Sequence, residues 1–138
     1  MTDEERIVKY HLESYLDAMR KLTRAKELYE RIYTSATGAK IQYMGTGSGT
    51  PHDTIGNAVV MLDEAKEKII EKQMDADAIR QEIELLCSFI KSDNARFVIE
   101  QTYLEDKTRG EIADALGCSL QSVTNYKVNG IREIAKSL

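Results

Sequence analysis

Apolar residues along this chain recur at helical spacing in three blocks. In the first, from about residue 3 to 35, Val8, Leu12, Tyr15, Met19, Leu22, Lys26, Tyr29 and Tyr33 follow alternating steps of four and three. That spacing lays one stripe along a helix, with Lys26 as its single charged interruption. Glu13, Asp17, Arg20, Arg24, Glu27 and Arg31 supply the polar faces. The second block, from about residue 54 to 91, is the longest. Leu62, Ile69, Ala76, Ile83 and Ile90 fall seven apart, and Ala65, Lys72, Ile79 and Leu86 occupy the complementary positions three residues later. Sustained heptads mean that this helix packs along its length against another helix. The partner is the first helix, the same helix of a second subunit, or both. A helix of this length extends on the order of 55 Å, too long a rod to be fully buried in one small domain. Self-association is expected, with Leu62, Ile69, Ile79, Ile83, Leu86 and Ile90 as the oligomerisation residues.

Between these blocks lies MGTGSGTPHDT, residues 44–54, the one strong break in the chain. It lacks the Lys-Ser/Thr and the preceding strand of a phosphate loop, and so reads as a connecting loop. Asp53 or Thr54 can cap the helix after it. The third block opens at Ser92-Asp93-Asn94, a break and cap, and predicts a helix over 94–104 carrying Phe97, Val98, Ile99, Tyr103 and Leu104. After the short polar Glu105-Asp106-Lys107, Thr108 with Glu111 matches a capping box. Ile112, Ala113 and Leu116 form the buried face of the helix it starts, and Gly117 is its expected stop. Ser119 caps a last helix whose inward face is Val123, Tyr126, Ile131 and Ile134.

Composition agrees with an all-α protein. Of 138 residues, 30% are charged and 7% aromatic, with one Pro and no Trp, a mixture that favours helices. The expected architecture is a long N-terminal helical hairpin or coiled coil, residues 1–92, followed by a small C-terminal helix-turn-helix domain, residues 93–138. No apolar run approaches the roughly 20 residues needed to span a bilayer, and the charged start MTDEERIVKY lacks the apolar stretch of a secretion signal. A cytoplasmic protein is the expectation. Cys87 and Cys118 have no metal-binding spacing, and Cys87, within ELLCSFI, reads as a small core residue. His11 and His52 lie in different segments without a recognisable base, nucleophile or metal partner. No cofactor site is evident, and nothing points to an enzyme.

The closing stretch TRGEIADALGCSLQSVTNYKVNGIREIAKSL carries the most chemistry. A helix-turn-helix needs a small residue where its helices approach, a turn with Gly, a capped second helix and apolar anchors. Ala113, Gly117, Ser119 and Val123 meet those needs in order. The outer face of the last helix holds Gln121, Ser122, Thr124, Asn125, Lys127 and Asn129, almost free of acid. Gln and Asn pair bidentately with adenine edges, and Ser and Thr meet bases or phosphates. Residues 119–138 hold Lys127, Arg132 and Lys136 against Glu133, a net of +2; residues 53–92 hold five basic and nine acidic residues, a net of −4. The acidic rod should avoid DNA, and the basic footprint of the terminal helix is modest. One copy would therefore bind double-stranded DNA weakly, so a second copy or another DNA-bound protein must add affinity.

YLEDKTRGEIADALGCSLQSVTNYKVNGIREI resembles region 4 of sigma-70-type factors, through Glu111-Ile112-Ala113, Leu116-Gly117, Ser119, Val123, Ile131 and Ile134. The whole chain, including ATGAKIQYMGTGSGTPHDTIGNAVVMLDEAKEKI, is similar to ArpU/RinA-like phage transcriptional regulators. That resemblance implies a sequence-specific DNA-binding regulator, an activator, of phage or prophage late genes in the bacterial host cytoplasm. It also implies a homodimer or higher homo-oligomer and contact with RNA polymerase. Mapped onto this sequence, the base-facing residues are Leu120, Gln121, Ser122, Thr124 and Asn125. Lys127, Asn129 and Arg132 lie further along the groove or on phosphate, and Thr108 and Arg109 are placed to meet a phosphate. The chain departs from the family at Arg109-Gly110 and at Asn129-Gly130-Ile131. Gly130 inside a helix costs about 1 kcal/mol relative to Ala, which predicts a less rigid terminal helix. Two other functions share such parts: a small terminase subunit-like packaging protein, and a helical interaction module that binds no DNA. A packaging subunit commonly carries its helix-turn-helix near the N-terminus, unlike this chain.

Overall fold

The protein is described here by a computed structural model, which covers the backbone of residues 1–46 and 51–138 and the side chains of residues 1–37 and 56–138. Every element among the described residues is an α-helix: α1 (Asp3–Thr46), α2 (Pro51–Cys87), α3 (Asp93–Tyr103), α4 (Arg109–Leu116) and α5 (Leu120–Ser137). The first helix is longer than its apolar stripe predicts and runs to Thr46, within the expected break at 44–54, while α2 starts at Pro51, also within it. Residues 47–50 of that expected loop, and the side chains of the expected caps Asp53 and Thr54, lie outside the described residues. Pro51 opens α2, where a missing N–H costs nothing and the fixed φ suits the first turn.

Two compact units divide the chain: residues 19–75, and residues 1–18 together with 76–138. In the first, α1 turns Leu22 fully inward, with Ala25, Tyr29, Ile32 and Ala36 half-buried on the same line. The expected Lys26 and Tyr33 are instead exposed. The stripe takes its short step one residue earlier, which replaces a charged seam position by Ala25 and removes the interruption. Tyr33 then stacks on Tyr29 at the helix surface, with ring centroids 6.4 Å apart. On α2, Ala65 is buried, and Leu62, Ile69 and Lys72 are half-buried.

The second unit holds most of the core. Val8, Leu12, Tyr15 and Ala18 of α1 are buried, as are Ala76, Ile83 and Cys87 of α2. α2 stops at Cys87, four residues short of the predicted end, because Phe89 and Ile90 donate to the carbonyls three residues back and tighten the chain into a turn. Ile90 nevertheless stays buried, so the heptad outlasts the helix by one position. Ile83 and Ile90 are thus covered within their own unit, while Leu62, Ile69, Ile79 and Leu86 are half-buried.

The last three helices start and stop where local chemistry directs. Ser92 Oγ accepts from Ala95 N at 3.2 Å, Thr108 Oγ1 from Glu111 N at 3.2 Å and Ser119 Oγ from Ser122 N at 3.1 Å. Each satisfies an N–H that the first turn leaves without an intrahelical partner. Asp106, at φ 54°, turns the chain between α3 and α4, and Gly117, at φ 65°, ends α4 in the left-handed region. Glycine enters that region without the Cβ clash.

α5 packs on both α3 and α4. One small core joins Val98, Ile112, Ala113 and Val123, with Phe97, Leu116, Cys118 and Tyr126 against it. A second line of α5, Gly130, Ile131 and Ile134, is buried against α3 and the rest of the unit. A Cβ on Gly130 would stand 2.7 Å from Ile99 Cγ1 and 3.2 Å from its Cδ1. Gly130 is therefore a point of close approach, and the flexibility expected of a helix-interior glycine is removed by burial.

Gly130→Ala should accordingly destabilise the protein by about 1–3 kcal/mol through overpacking, although alanine is the better helix former. Urea unfolding would show a lower midpoint. In an Ile99→Ala background, where both Cγ1 and Cδ1 are gone, Gly130→Ala should cost less than in the wild type; full stability in the single variant would contradict the close contact.

Candidate nucleic-acid interface

The expected DNA-facing residues separate into two groups. Arg109, at the first position of α4, donates from Nη1 to Thr124 Oγ1 at 3.3 Å, and Thr124 Oγ1 in turn donates to the Leu120 carbonyl at 3.3 Å. Gln121 Nε2 donates to Asn125 Oδ1 at 3.1 Å, one turn further along α5. The start of α4 and the first two turns of α5 thereby present two amides, a hydroxyl and a guanidinium together. Leu120 stands beside them, 47% exposed. Ser122 is half-buried, with its Oγ 3.0 Å from Ser119 Oγ at the helix cap. Thr108 is exposed, and its hydroxyl accepts the Glu111 N–H.

The remaining basic residues have partners elsewhere. Lys127 is half-buried and sets its ammonium over the Tyr103 ring, 5.4 Å from the centroid. It lies on the inner side of α5, since two residues at about 100° each carry position 127 roughly 200° round from Asn125. Burial, and then nearby Lys9, hold this ammonium below the usual lysine range. Arg132 Nε lies 3.8 Å from Glu5 Oε1 of α1, a carboxylate whose side chain is only 15% exposed. Asn129 is exposed near the middle of α5. The structure brings Arg109, Leu120, Gln121, Thr124 and Asn125 together and sets Lys127 apart.

Arg80 of α2 is a contributor that the sequence pattern does not single out. Its Nη1 donates to Tyr15 Oη at 3.2 Å, its Nη2 to Glu105 Oε1 at 3.1 Å and its Nε to Glu84 Oε1 at 3.0 Å. The guanidinium also lies over the Tyr15 ring, 5.5 Å from the centroid. These bonds, the Tyr15 hydroxyl foremost, raise its already high pKa. One side chain thus ties α1 and α2 to the turn that leads into α4. No one-dimensional signal marks it, because its partners are 65 and 25 residues away.

His11 finds a neighbour in Glu82, Nε2 to Oε2 3.0 Å, on the surface. Among the described residues no group of His, Cys, Asp or Glu is arranged to hold a metal ion, and no helix is long and apolar enough to cross a membrane. Burial pushes the Cys87 thiol up to about 12, and Glu100 adds to the rise. Burial, with a smaller part from Glu13, pushes the Tyr103 phenol to about 12 as well. The Tyr103 hydroxyl is enclosed without a hydrogen-bond partner.

No protein-family model matches the chain, and no solved structure matches it. It is 33% identical over 76 residues to the RNA polymerase sigma factor SigO of Bacillus subtilis (strain 168). The matched stretch is 54% of this chain and 43% of that protein, so the chain spans less than half the length of this relative.

Two outcomes are expected from this packing. Tyr103→Phe removes an unsatisfied buried hydroxyl and should raise stability by about 1 kcal/mol. In the wild type, Cys87 and Tyr103 lose protons more readily unfolded, from ordinary values of 9.0 and 10.0, than folded at about 12. Between about pH 9 and 12 the unfolded state then binds fewer protons, so stability falls as pH rises. Urea midpoints along an alkaline series should decline, and decline less steeply in Tyr103→Phe. A flat series would contradict this burial. About half of the chain is similar in sequence to a bacterial sigma factor.

Proposed function

We propose that this chain is a sequence-specific DNA-binding regulator of transcription whose reading element is α5. The observation that carries the proposal is the face formed by Arg109, Thr124, Gln121 and Asn125, held outward by a capped helix-turn-helix. Amide side chains in this position suit adenine edges in a major groove, and Arg109 with the start of α4 suits a phosphate. Leu120 would pack on a thymine methyl. The first turn of α5 holds no acidic residue that would repel the backbone. Likeness to a sigma factor over about half the chain supports a place in transcription. Residues 93–138 would act as the DNA-binding domain, and RNA polymerase is the expected protein partner.

Control of phage or prophage late genes, as an activator, is the finer form of this proposal. It rests on the resemblance of nearly the whole chain to ArpU/RinA-like regulators: a charged N-terminal helix with the glycine-rich segment, a long heptad helix and a sigma-like C-terminus. With Lys127 turned inward and Arg132 beside Glu5, few cations remain for phosphate, and a modest salt dependence is expected. A second copy on a repeated site would supply the missing affinity.

Gln121→Ala and Asn125→Ala should each weaken operator binding by about 1–3 kcal/mol with helicity unchanged. Gel shifts against DNA upstream of the adjoining genes, over a salt series, would measure it. If both variants bind as the wild type does, the reading face is misassigned. No shift by the wild type at low salt would reduce the motif to a structural corner.

A further inference from the structure

Within the unit made of residues 1–18 and 76–138, the start of α1 lies alongside α5. Arg132 Nε of α5 is 3.8 Å from Glu5 Oε1 of α1. Lys9 and Glu13 follow Glu5 at steps of four, so the three share one side of α1. On α5, Thr124, Lys127 and Ile131 step by three and four along one flank. Lys9 and Glu13 are close enough to Lys127 to act on its charge. With Glu5 at Arg132 and Lys9 at Lys127, the two helices pass in opposite directions.

Three cations from three helices meet on that flank. Arg109 opens α4 and donates to Thr124 Oγ1 at 3.3 Å. Lys127, one turn further along α5, keeps its ammonium over the Tyr103 ring. Lys9 stands beside it with 44% of its side chain exposed, its Nζ 4.0 Å from Glu13 Oε1. Burial first, and then Lys9, hold the Lys127 ammonium below the usual range; Arg109 adds to this, and Glu13 opposes it. Cations gathered in this way repel one another and raise the local potential for an anion.

We propose that Lys9 of α1 is a further DNA-phosphate contact, so that one strand bordering the groove passes Arg109 and then Lys9 along the flank of α5. A helix lying in the major groove is bordered by sugar-phosphate strands, and contacts to them fix register without reading sequence. The strand that meets Arg109 at the start of α4 continues past Thr124 and Lys127 toward α1. Lys9 reaches it on a flexible stem as a point charge, which suits a contact indifferent to the base. Lys127 stays on Tyr103 and adds its charge from behind. The inference rests on α5 as the reading helix, and it extends the DNA-binding device beyond residues 93–138 to the first turns of α1.

Binding of the full-length chain to a labelled mixed-sequence DNA duplex, followed by fluorescence anisotropy over a salt series, tests it. Lys9→Gln should weaken binding severalfold at low salt and flatten the slope of log K against log [salt] by about 0.9, the share of one phosphate. Lys9→Arg should keep the wild-type slope. Glu13→Gln, which removes the carboxylate competing for Lys9, should bind more tightly than the wild type, a gain that misfolding cannot imitate. Lys66→Gln, an equal loss of charge on the acidic stretch of α2, should leave the slope unchanged. Circular dichroism should show the same helicity in all four variants. If the wild type binds and Lys9→Gln keeps its slope and affinity, the inference falls while the reading helix stands. Equal losses in Lys9→Gln and Lys66→Gln would also overturn it, reducing the effect to net charge. No binding by the wild type at low salt would remove the DNA-reading proposal itself, and this contact with it.

Discussion

The placement of α5 depends on an absence of side chain. At Gly130 the helix meets α3 so closely that a methyl group would overlap Ile99. That contact sets the depth at which Ile131 and Ile134 enter the core, while Val123 joins the core with Ile112 and Ala113. With the inner line anchored at both ends, the opposite line carrying Gln121 and Asn125 faces outward. Helix propensity alone gives Gly130 the wrong sign. The intrinsic cost of about 1 kcal/mol is smaller than the packing that would be lost if the two helices moved apart by the thickness of a methyl.

Charge is distributed with similar economy. Lys127 and Arg132, two of the three cations that give the terminal helix its positive sum, are engaged by Tyr103 and Glu5. Arg80 gathers Tyr15, Glu84 and Glu105 from three places in the chain. Surface ion pairs of this kind contribute little individually, but the bidentate fork of one arginine fixes direction as well as distance. On the reading proposed above, the face offered to DNA is chiefly amide and hydroxyl, with the one guanidinium of Arg109. Such a face favours discrimination among bases over indiscriminate adhesion to phosphate.

Along α1 the apolar seam shows how pattern and packing diverge by one residue. Lys26 and Ala25 are both compatible with a step of three or four, and the sequence pattern alone does not choose. Burial chooses Ala25, because an unpaired ammonium in a two-helix seam costs far more than a small gap beside alanine. The same choice moves Tyr33 outward and Ile32 inward.

Local rules made much of this protein legible. Ser92, Thr108, Gly117 and Ser119 mark helix ends through bonds made within three or four residues, so short stretches of sequence suffice to read them. The all-helical class follows from periodicity for the same reason. Tertiary structure alone decided the close approach at Gly130, the clamp at Arg80, the early end of α2 before a still-buried Ile90, and which cations of α5 turn inward. The contacts of Gly130, Arg80 and Lys127 join groups far apart in sequence, and a one-dimensional pattern records spacing along a helix but not what lies opposite it.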